Sequence, residues 1–293
     1  MTGLRLHQPG VVGTGRVAQA LALALAPHSP RPPTMWGRSP ERTAGAATAV
    51  GAVTAPAVDH LMAECDVIAI AVADDALADV VGEMAAISSA GGDRFVFHVS
   101  GRSGAAILEP LRVAGALTAA IHPAMTFTGD PASEVLRMAG ARFAVTGSAP
   151  EATEQAKNIV ALLGGVAVEI AEDRRALYHA ALCHASNHLV TLIAGASHAL
   201  ANAGVDDPAA LLAPLVRAAL ENSLTLGFAG LSGPLLRGDA RTVGDHLATL
   251  AAHSPDLLPA YRAMALATLV ELKRAGNLPS DRLTALDSLL AVP

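Results

Sequence analysis

The stretch PGVVGTGRVAQALALALA, Pro9 to Ala26, constrains this chain more than any other. Leu4, Leu6 and Val11-Val12 can form a short buried strand. Gly13-Thr14-Gly15-Arg16-Val17-Ala18 then spells G-x-G-x-x-A, and a helix follows over about 16–26. In a strand–turn–helix unit each position has a physical job. Gly13 allows the tight turn, Gly15 lets a pyrophosphate approach the backbone, and Ala18 lets helix and strand pack closely. The first N–H groups of the helix and its positive dipole end would face the phosphates. The same stretch also invites reading as a secretory signal, with Val17 to Ala26 as its apolar core behind Arg5. Gly10, Gly13 and Gly15 at its start, and Arg16 and Gln19 within it, favour the strand–turn–helix reading.

The end of the next strand tests that reading. Pro33 to Trp36 can be this strand, and Gly37-Arg38-Ser39 follows. A site preferring NAD would place an acidic residue there for the ribose 2′-hydroxyl. Arg38 and Ser39 instead suit a 2′-phosphate, with Arg42 as support, so the expected cofactor is NADP.

Further apolar runs have strand length: Cys65 to Ala73, Arg94 to Gly101, Ala116 to Ile121, Arg142 to Thr146 and Val166 to Ile170. Helical segments separate them, over 77–87, 104–114 and 151–163. This alternation predicts an α/β fold with a doubly wound parallel sheet, whose ligands bind beyond the carboxyl ends of the strands. The loops to watch are Gly13–Ala18, Gly37–Ser39, Val72–Asp75 (with Val72 and Ala73 beside the cofactor), Val99–Gly104 and His122–Thr126.

Beyond Glu172 the pattern turns helical. Asp173 can cap a helix over about 174–203, and further helices fall near 208–228, 239–253, 255–275 and 280–291. Asp207 and Ser254 precede helix-starting prolines, and Pro214 predicts a kink or a short preceding turn. The expected domains are an NADP-binding Rossmann-like domain over 1–171 and an all-helical substrate and dimerisation domain over 172–293.

Composition narrows the function classes. With 52% hydrophobic and only 3% aromatic residues, the core must be built from Ala, Leu, Val and Ile. A net charge of −6 and no basic run argue against a nucleic-acid partner. No uninterrupted apolar run is long enough for a membrane span. Cys65 and Cys183 lie in no metal-ligand spacing and suit a reducing cytoplasm.

A dinucleotide enzyme needs a proton donor and groups that orient the acceptor carbon. His122, directly after a strand, can reach the cofactor face, or only fix the turn before Pro123. On the long helix, His179, Ser186 and Asn187 share one stripe, where Asn can orient a carbonyl and His can protonate it. His184 and His188 have metal-ligand spacing but no third ligand, so no metal is expected. Arg237 can clamp a substrate carboxylate, while Asp239 can cap the next helix. Ser100 can donate to a substrate or nicotinamide oxygen, or belong to turn chemistry with Gly101.

The segments GVVGTGRVA, HVSGRSGA, AAIHPAMTF, YHAALCHASN and LSGPLLRGDARTVGDHL together resemble a family that joins a Rossmann-like NADP domain to a helical C-terminal domain of unknown function. That family is similar to pyrroline-5-carboxylate reductases, 3-hydroxyisobutyrate dehydrogenases and ketopantoate reductases, with a helical domain of the 6-phosphogluconate-dehydrogenase type. The resemblance implies a catalytic cleft between the domains and a homodimer built on the helical one. In the hydroxyacid branch a lysine on the long helix donates the proton, with an asparagine about one turn later. Asn187 fits the asparagine, but Cys183 stands where the lysine would be, and no lysine lies between Lys157 and Lys273. His179 and His122 remain as donors. Three functions follow as expectations: an NADPH-dependent reductase of a small carboxylate-bearing carbonyl such as 2-dehydropantoate, an imine reductase of the pyrroline-5-carboxylate type, or a non-catalytic NADP-binding sensor.

Overall fold

The computed structural model describes residues 6–88 and 94–291. Leu4, expected in the first strand, and Arg5, of the alternative signal reading, lie outside the described residues. The chain divides into two units, Met1–Cys183 and His184–Pro293.

The first unit is built on one eight-stranded sheet. Its strands are β1 (Pro9–Val12), β2 (Thr34–Trp36), β3 (Val53–Thr54), β4 (Val67–Ile70), β5 (Phe95–His98), β6 (Leu117–Pro123), β7 (Arg142–Gly147) and β8 (Val166–Glu169). They lie in the order β3-β2-β1-β4-β5-β6-β7-β8. Between them run α1 (Arg16–Leu25), α2 (Pro40–Val50), α3 (Val58–Glu64), α4 (Leu77–Ile87), α5 (Glu109–Val113), α6 (Pro131–Met138) and α7 (Pro150–Leu162).

Strand β4 shows why this sequence makes a two-faced sheet. All four of its residues are buried. Val67 and Ala69 pack with Val11, Phe97 and Leu21 of α1, while Ile68 and Ile70 pack with Val12, Val96 and Met84 of α4. Helices therefore cover both faces, and a continuous apolar run is what such a strand requires.

The sheet departs from the expected all-parallel order in one pairing. β7 runs antiparallel to β6, with His122 opposite Ala144, and β8 then runs parallel to β7. The link between β6 and β7 carries only α6, which packs beside α1 and sends the chain back from the carboxyl edge. The reversal also lengthens β6. β5 pairs with Leu117 to Ala120, whereas β7 pairs with Ala119 to Pro123. His122 accordingly lies within β6 and not on a loop after it.

The expected helix over 104–114 is a 3₁₀ turn, Ala105–Leu108, followed by α5, with Pro110 at the junction. The short helices α2, α3 and α6 had no counterpart in the sequence reading.

A 3₁₀ turn over Glu172–Arg174 leads into α8 (Arg175–Asn202), which contains the division between the units. The helices that follow are α9 (Pro208–Leu226), α10 (Pro234–Arg237), α11 (Ala240–His253), α12 (Leu258–Ala275) and α13 (Ser280–Ala291). Among the described residues no strand follows β8. The core of the second unit is Val243, Leu247, Leu269, Leu272, Leu286 and Leu290, from α11, α12 and α13.

Asp207 and Asp239 cap α9 and α11, each accepting an N–H at 3.0 Å. Ser254 makes no such cap, because its hydroxyl turns back to the His253 carbonyl. α9 runs uninterrupted through Pro214, so no short preceding turn forms. Of α9 only Leu212 is buried, and Leu215 and Leu224 are 63% and 76% exposed. Among the described residues no helix is long and apolar enough to cross a membrane.

Candidate functional site

The glycine loop joins β1 to α1 at the carboxyl edge. Gly13 has φ +130°, and a Cβ there would stand 2.2 Å from the Ala71 carbonyl oxygen. No other residue fits without displacing the backbone after β4. Gly15 is the opposite case. A Cβ there would meet nothing within 4 Å, so the backbone faces open space. As N-cap of α1, Gly15 offers no side chain to the first N–H groups, and the first turn holds no acidic residue. The helix thus keeps its donors and positive dipole end for an outside anion. Thr14 is braced from below, its carbonyl accepting the Gln19 amide at 3.1 Å. Arg16 donates to the Phe127 carbonyl at 3.3 Å, tying the loop after β6 to the start of α1. Val17 is half-buried and Ala18 fully buried.

Gly37 packs on Thr14, whose Cγ2 would be 2.8 Å from an added Cβ. This contact sets the turn after β2 beside the glycine loop. Arg38 in that turn is exposed and, among the described residues, has no ion-pair partner. Ser39 caps α2, its Oγ accepting the Arg42 N–H at 3.3 Å. The hydroxyl proton of Ser39 remains to donate. Val72 and Ala73 follow β4, half-buried and exposed.

The loop after β5 is held by groups that point inward. His98 is fully buried. Its Nδ1 accepts the Ser100 N–H at 3.1 Å, and its Nε2 lies 2.8 Å from the Gly104 carbonyl. Because Nδ1 is an acceptor, the proton sits on Nε2 and is donated to Gly104. Burial pushes His98 down to about 4, against a small upward pull from the Gly104 bond. Ser100 Oγ accepts the Ser103 N–H at 3.3 Å, so this serine belongs to the turn, with its own proton left over.

Arg175 closes the loop from α8. Although it is a guanidinium, it is 1% exposed. It donates to the carbonyls of Ser100 at 2.7 Å, Ser103 at 3.0 Å and Ala144 at 3.3 Å. Glu172 wraps Gly104, where an added Cβ would clash with the carboxylate, and accepts from Ala106 N–H at 3.4 Å.

His122 and His179 meet across this loop. Their ring centroids are 6.0 Å apart, edge to face. Both rest on Gly101, where a Cβ would be 2.5 Å from His179 Cδ2 and 2.9 Å from His122 Nε2. His122 Nδ1 lies 2.9 Å from the Tyr178 hydroxyl. Burial first, then the nearby Arg175 charge, lowers His122 to about 4, so it is neutral at physiological pH. Burial raises the Tyr178 phenol, and Arg175, with Cζ 5.6 Å from the ring centroid, pulls it partly back. His179 Nε2 is 3.7 Å from Cys183 Sγ.

The structure therefore assembles His122, His179, Ser100 and the glycine loop on one edge of the first unit. Ser186 and Asn187 lie on α8 past the division, half-buried and exposed, and Arg237 is exposed at the end of α10. His184 and His188 face each other with Nδ1 atoms 3.1 Å apart. Among the described residues no group of three His, Cys, Asp or Glu is placed to hold a metal. Sequence reasoning missed Arg175, Tyr178, Glu172 and His98. Tyr178 and His98 stand inside the quoted segments YHAALCHASN and HVSGRSGA, beside residues that had been singled out.

Residues 3–123 match the family model of a Rossmann-like domain, and residues 141–268 match that of a domain of unknown function, DUF2520. The chain joins these two domains. No curated protein matches it in sequence. Among solved structures it is similar to BF3122 of Bacteroides fragilis, named as a candidate NADP oxidoreductase (TM-score 0.72, 19% identity, covering 89% of this chain and 97% of that one). It is also similar to a reductive aminase of Aspergillus terreus in complex with NADPH and ethyl levulinate (TM-score 0.65, 18% identity, 97% and 99% covered). A third is 1-pyrroline-5-carboxylate reductase of Streptococcus pyogenes (TM-score 0.59, 17% identity, 98% and 97% covered). These likenesses establish the fold.

Proposed function

We propose that this chain is an NADPH-dependent reductase of a small C=N or C=O compound. The observation that carries this is the amino end of α1, bare of any side-chain cap and of acidic residues behind an unobstructed Gly15. Gly13 to Ala18 would hold the pyrophosphate, and Arg38 and Ser39 the 2′-phosphate. Val72, Ala73 and Ser100 would line the nicotinamide end. NADPH, when bound, supplies the hydride.

The proton comes from the chain. In the His122 tautomer protonated at Nδ1, the imidazole donates to Tyr178 Oη and leaves the phenol proton for the substrate. Breaking that O–H bond makes an N–H or O–H bond on the acceptor and leaves a phenolate, which solvent reprotonates. Since His122 is neutral and the phenol is raised, this is a weakly acidic site. Weak acidity favours the basic nitrogen of a neutral imine as proton acceptor over the carbonyl oxygen of a 2-oxo acid such as 2-dehydropantoate. His179 would pack against the acceptor. Two free cysteines suit the cytoplasm, and the exposed leucines of α9 suit a homodimer.

The test is calorimetry with NADPH and NADH, followed by NADPH oxidation with a cyclic imine carboxylate and with 2-dehydropantoate. Arg38→Glu is expected to weaken NADPH at least about tenfold and spare NADH. Tyr178→Phe is expected to lower turnover about a hundredfold or more with NADPH affinity unchanged. Absence of NADPH binding, or equal loss for both cofactors, overturns the corresponding assignment.

A further inference from the structure

A buried guanidinium without a carboxylate is costly, so its location asks for a reason. Arg175 is the largest of the fully buried side chains in the described residues, and its acceptors are three neutral carbonyls. Carbonyl oxygens satisfy the N–H groups but leave the net positive charge in place. The nearest carboxylates in sequence are engaged elsewhere: Asp173 pairs with Arg174 at 3.3 Å, and Glu172 is turned to Gly104 and Ala106. The charge lies over the Tyr178 ring on the same helix, one turn on. It also reaches His122 and His98 through space.

We infer that Arg175 is a positioning residue for the proton transfer: its bonds to the Ser100 and Ser103 carbonyls, anchored by a third to Ala144 of β7, hold the loop after β5 against the His122 and His179 rings, and its charge is the counter-ion of the Tyr178 phenolate. This rests on the reading of Tyr178 as the proton donor, and it adds what makes that donor usable. A phenol that burial alone would hold too weakly acidic gains a fixed cation beside the anion it forms. Three carbonyls suit that role better than a carboxylate would, because a carboxylate would cancel the charge. The other groups that face the pair are Glu172 on the turn before α8, which also acts on Arg175 through space, His179 on α8, His98 on β5, and Asp74 on the loop after β4, which is partly occupied by Arg102 at 3.8 Å.

The chain has two tyrosines, Tyr178 and Tyr261, so a Tyr261→Phe background leaves one phenol to follow. Phenolate absorbance is titrated in that background for wild-type Arg175 and for Arg175→Lys, Arg175→Gln and Arg175→Met, with thermal unfolding to confirm the fold. The midpoint is expected to rise by about one pH unit or more in the Gln and Met variants. The Lys variant falls between, because a shorter ammonium keeps the charge but moves it from the ring. An unmoved midpoint in a folded neutral variant overturns the inference. If neither neutral variant folds, an unmoved midpoint in Arg175→Lys does so. The titration needs neither cofactor nor substrate. Failure of the NADPH reading appears separately, as absent heat of binding in the unaltered protein.

Discussion

Acidification is expected to weaken the fold through His98, and the size of the effect follows from its two bonds. Nδ1 accepts from Ser100 and Nε2–H donates to Gly104, so a second ring proton would displace the Ser100 N–H and charge a fully buried ring. The folded-state value of about 4 lies below the ordinary 6.5. A depressed histidine contributes its full stability above the unfolded value, and loses it as pH falls from about 6.5 toward 4. At pH 5 the unfolded chain has gained about 1.5 units of proton affinity over the folded one, worth about 2 kcal/mol relative to neutral pH. His122 adds a smaller loss of the same sign, discounted for its partial exposure. Urea unfolding at neutral pH and at about pH 5 isolates His98 when compared with His98→Asn, because the His122 contribution, on which His98 is the smallest influence, largely cancels in the difference. Asn keeps an acceptor for Ser100 but gives up the Gly104 bond, so the variant starts about 1 kcal/mol weaker. The gap should close or reverse on acidification, by about 2 kcal/mol in total. A gap that stays constant with pH refutes the argument.

Three more outcomes follow. Gly13→Ala must place its Cβ against the Ala71 carbonyl at positive φ, and is expected to cost about 3 kcal/mol or more and abolish NADPH binding; a melt unchanged from wild type contradicts the loop geometry. Gly101→Ala drives a methyl between His122 and His179, so turnover should fall about tenfold or more with NADPH affinity intact; stopped-flow rates and calorimetry read the two quantities separately. Leu224→Glu with Leu215→Glu should convert a dimer to a monomer in sedimentation velocity; a dimer that survives both charges removes α9 from the interface.

Much of the sheet was legible because a strand buried on both faces must be apolar throughout, as in Val67 to Ile70. The helix over Leu77–Ile87 was read at its observed bounds, and Gly13 was read for the conformation it adopts. β3 was missed because its two residues are exposed and carry no pattern. Ser39 was read as a phosphate ligand only, although the helix it caps begins with the same Ser-Pro pair that marks such starts. The reversal at β7 left no trace, since a buried strand has the same composition in either direction. Arg175 was passed over because an arginine at a helix start is ordinarily solvated, and nothing local tells that three carbonyls from other segments wait for it. Tyr178 was invisible for a related reason: its partner His122 is 56 positions away.

The guanidinium of Arg175 also bears on how the molecule comes together. It joins carbonyls that precede it by 31 and 75 positions. Closing spans of that length is entropically slow compared with forming a helix or a neighbouring strand pair. The phosphate-binding turn, by contrast, is built from β1 and α1 and set mainly by the strands next to them in the sheet, β2 and β4. During assembly, then, the molecule should acquire its grip on a dinucleotide before it acquires the means to move a proton, and under mild denaturant it should surrender them in the reverse sequence.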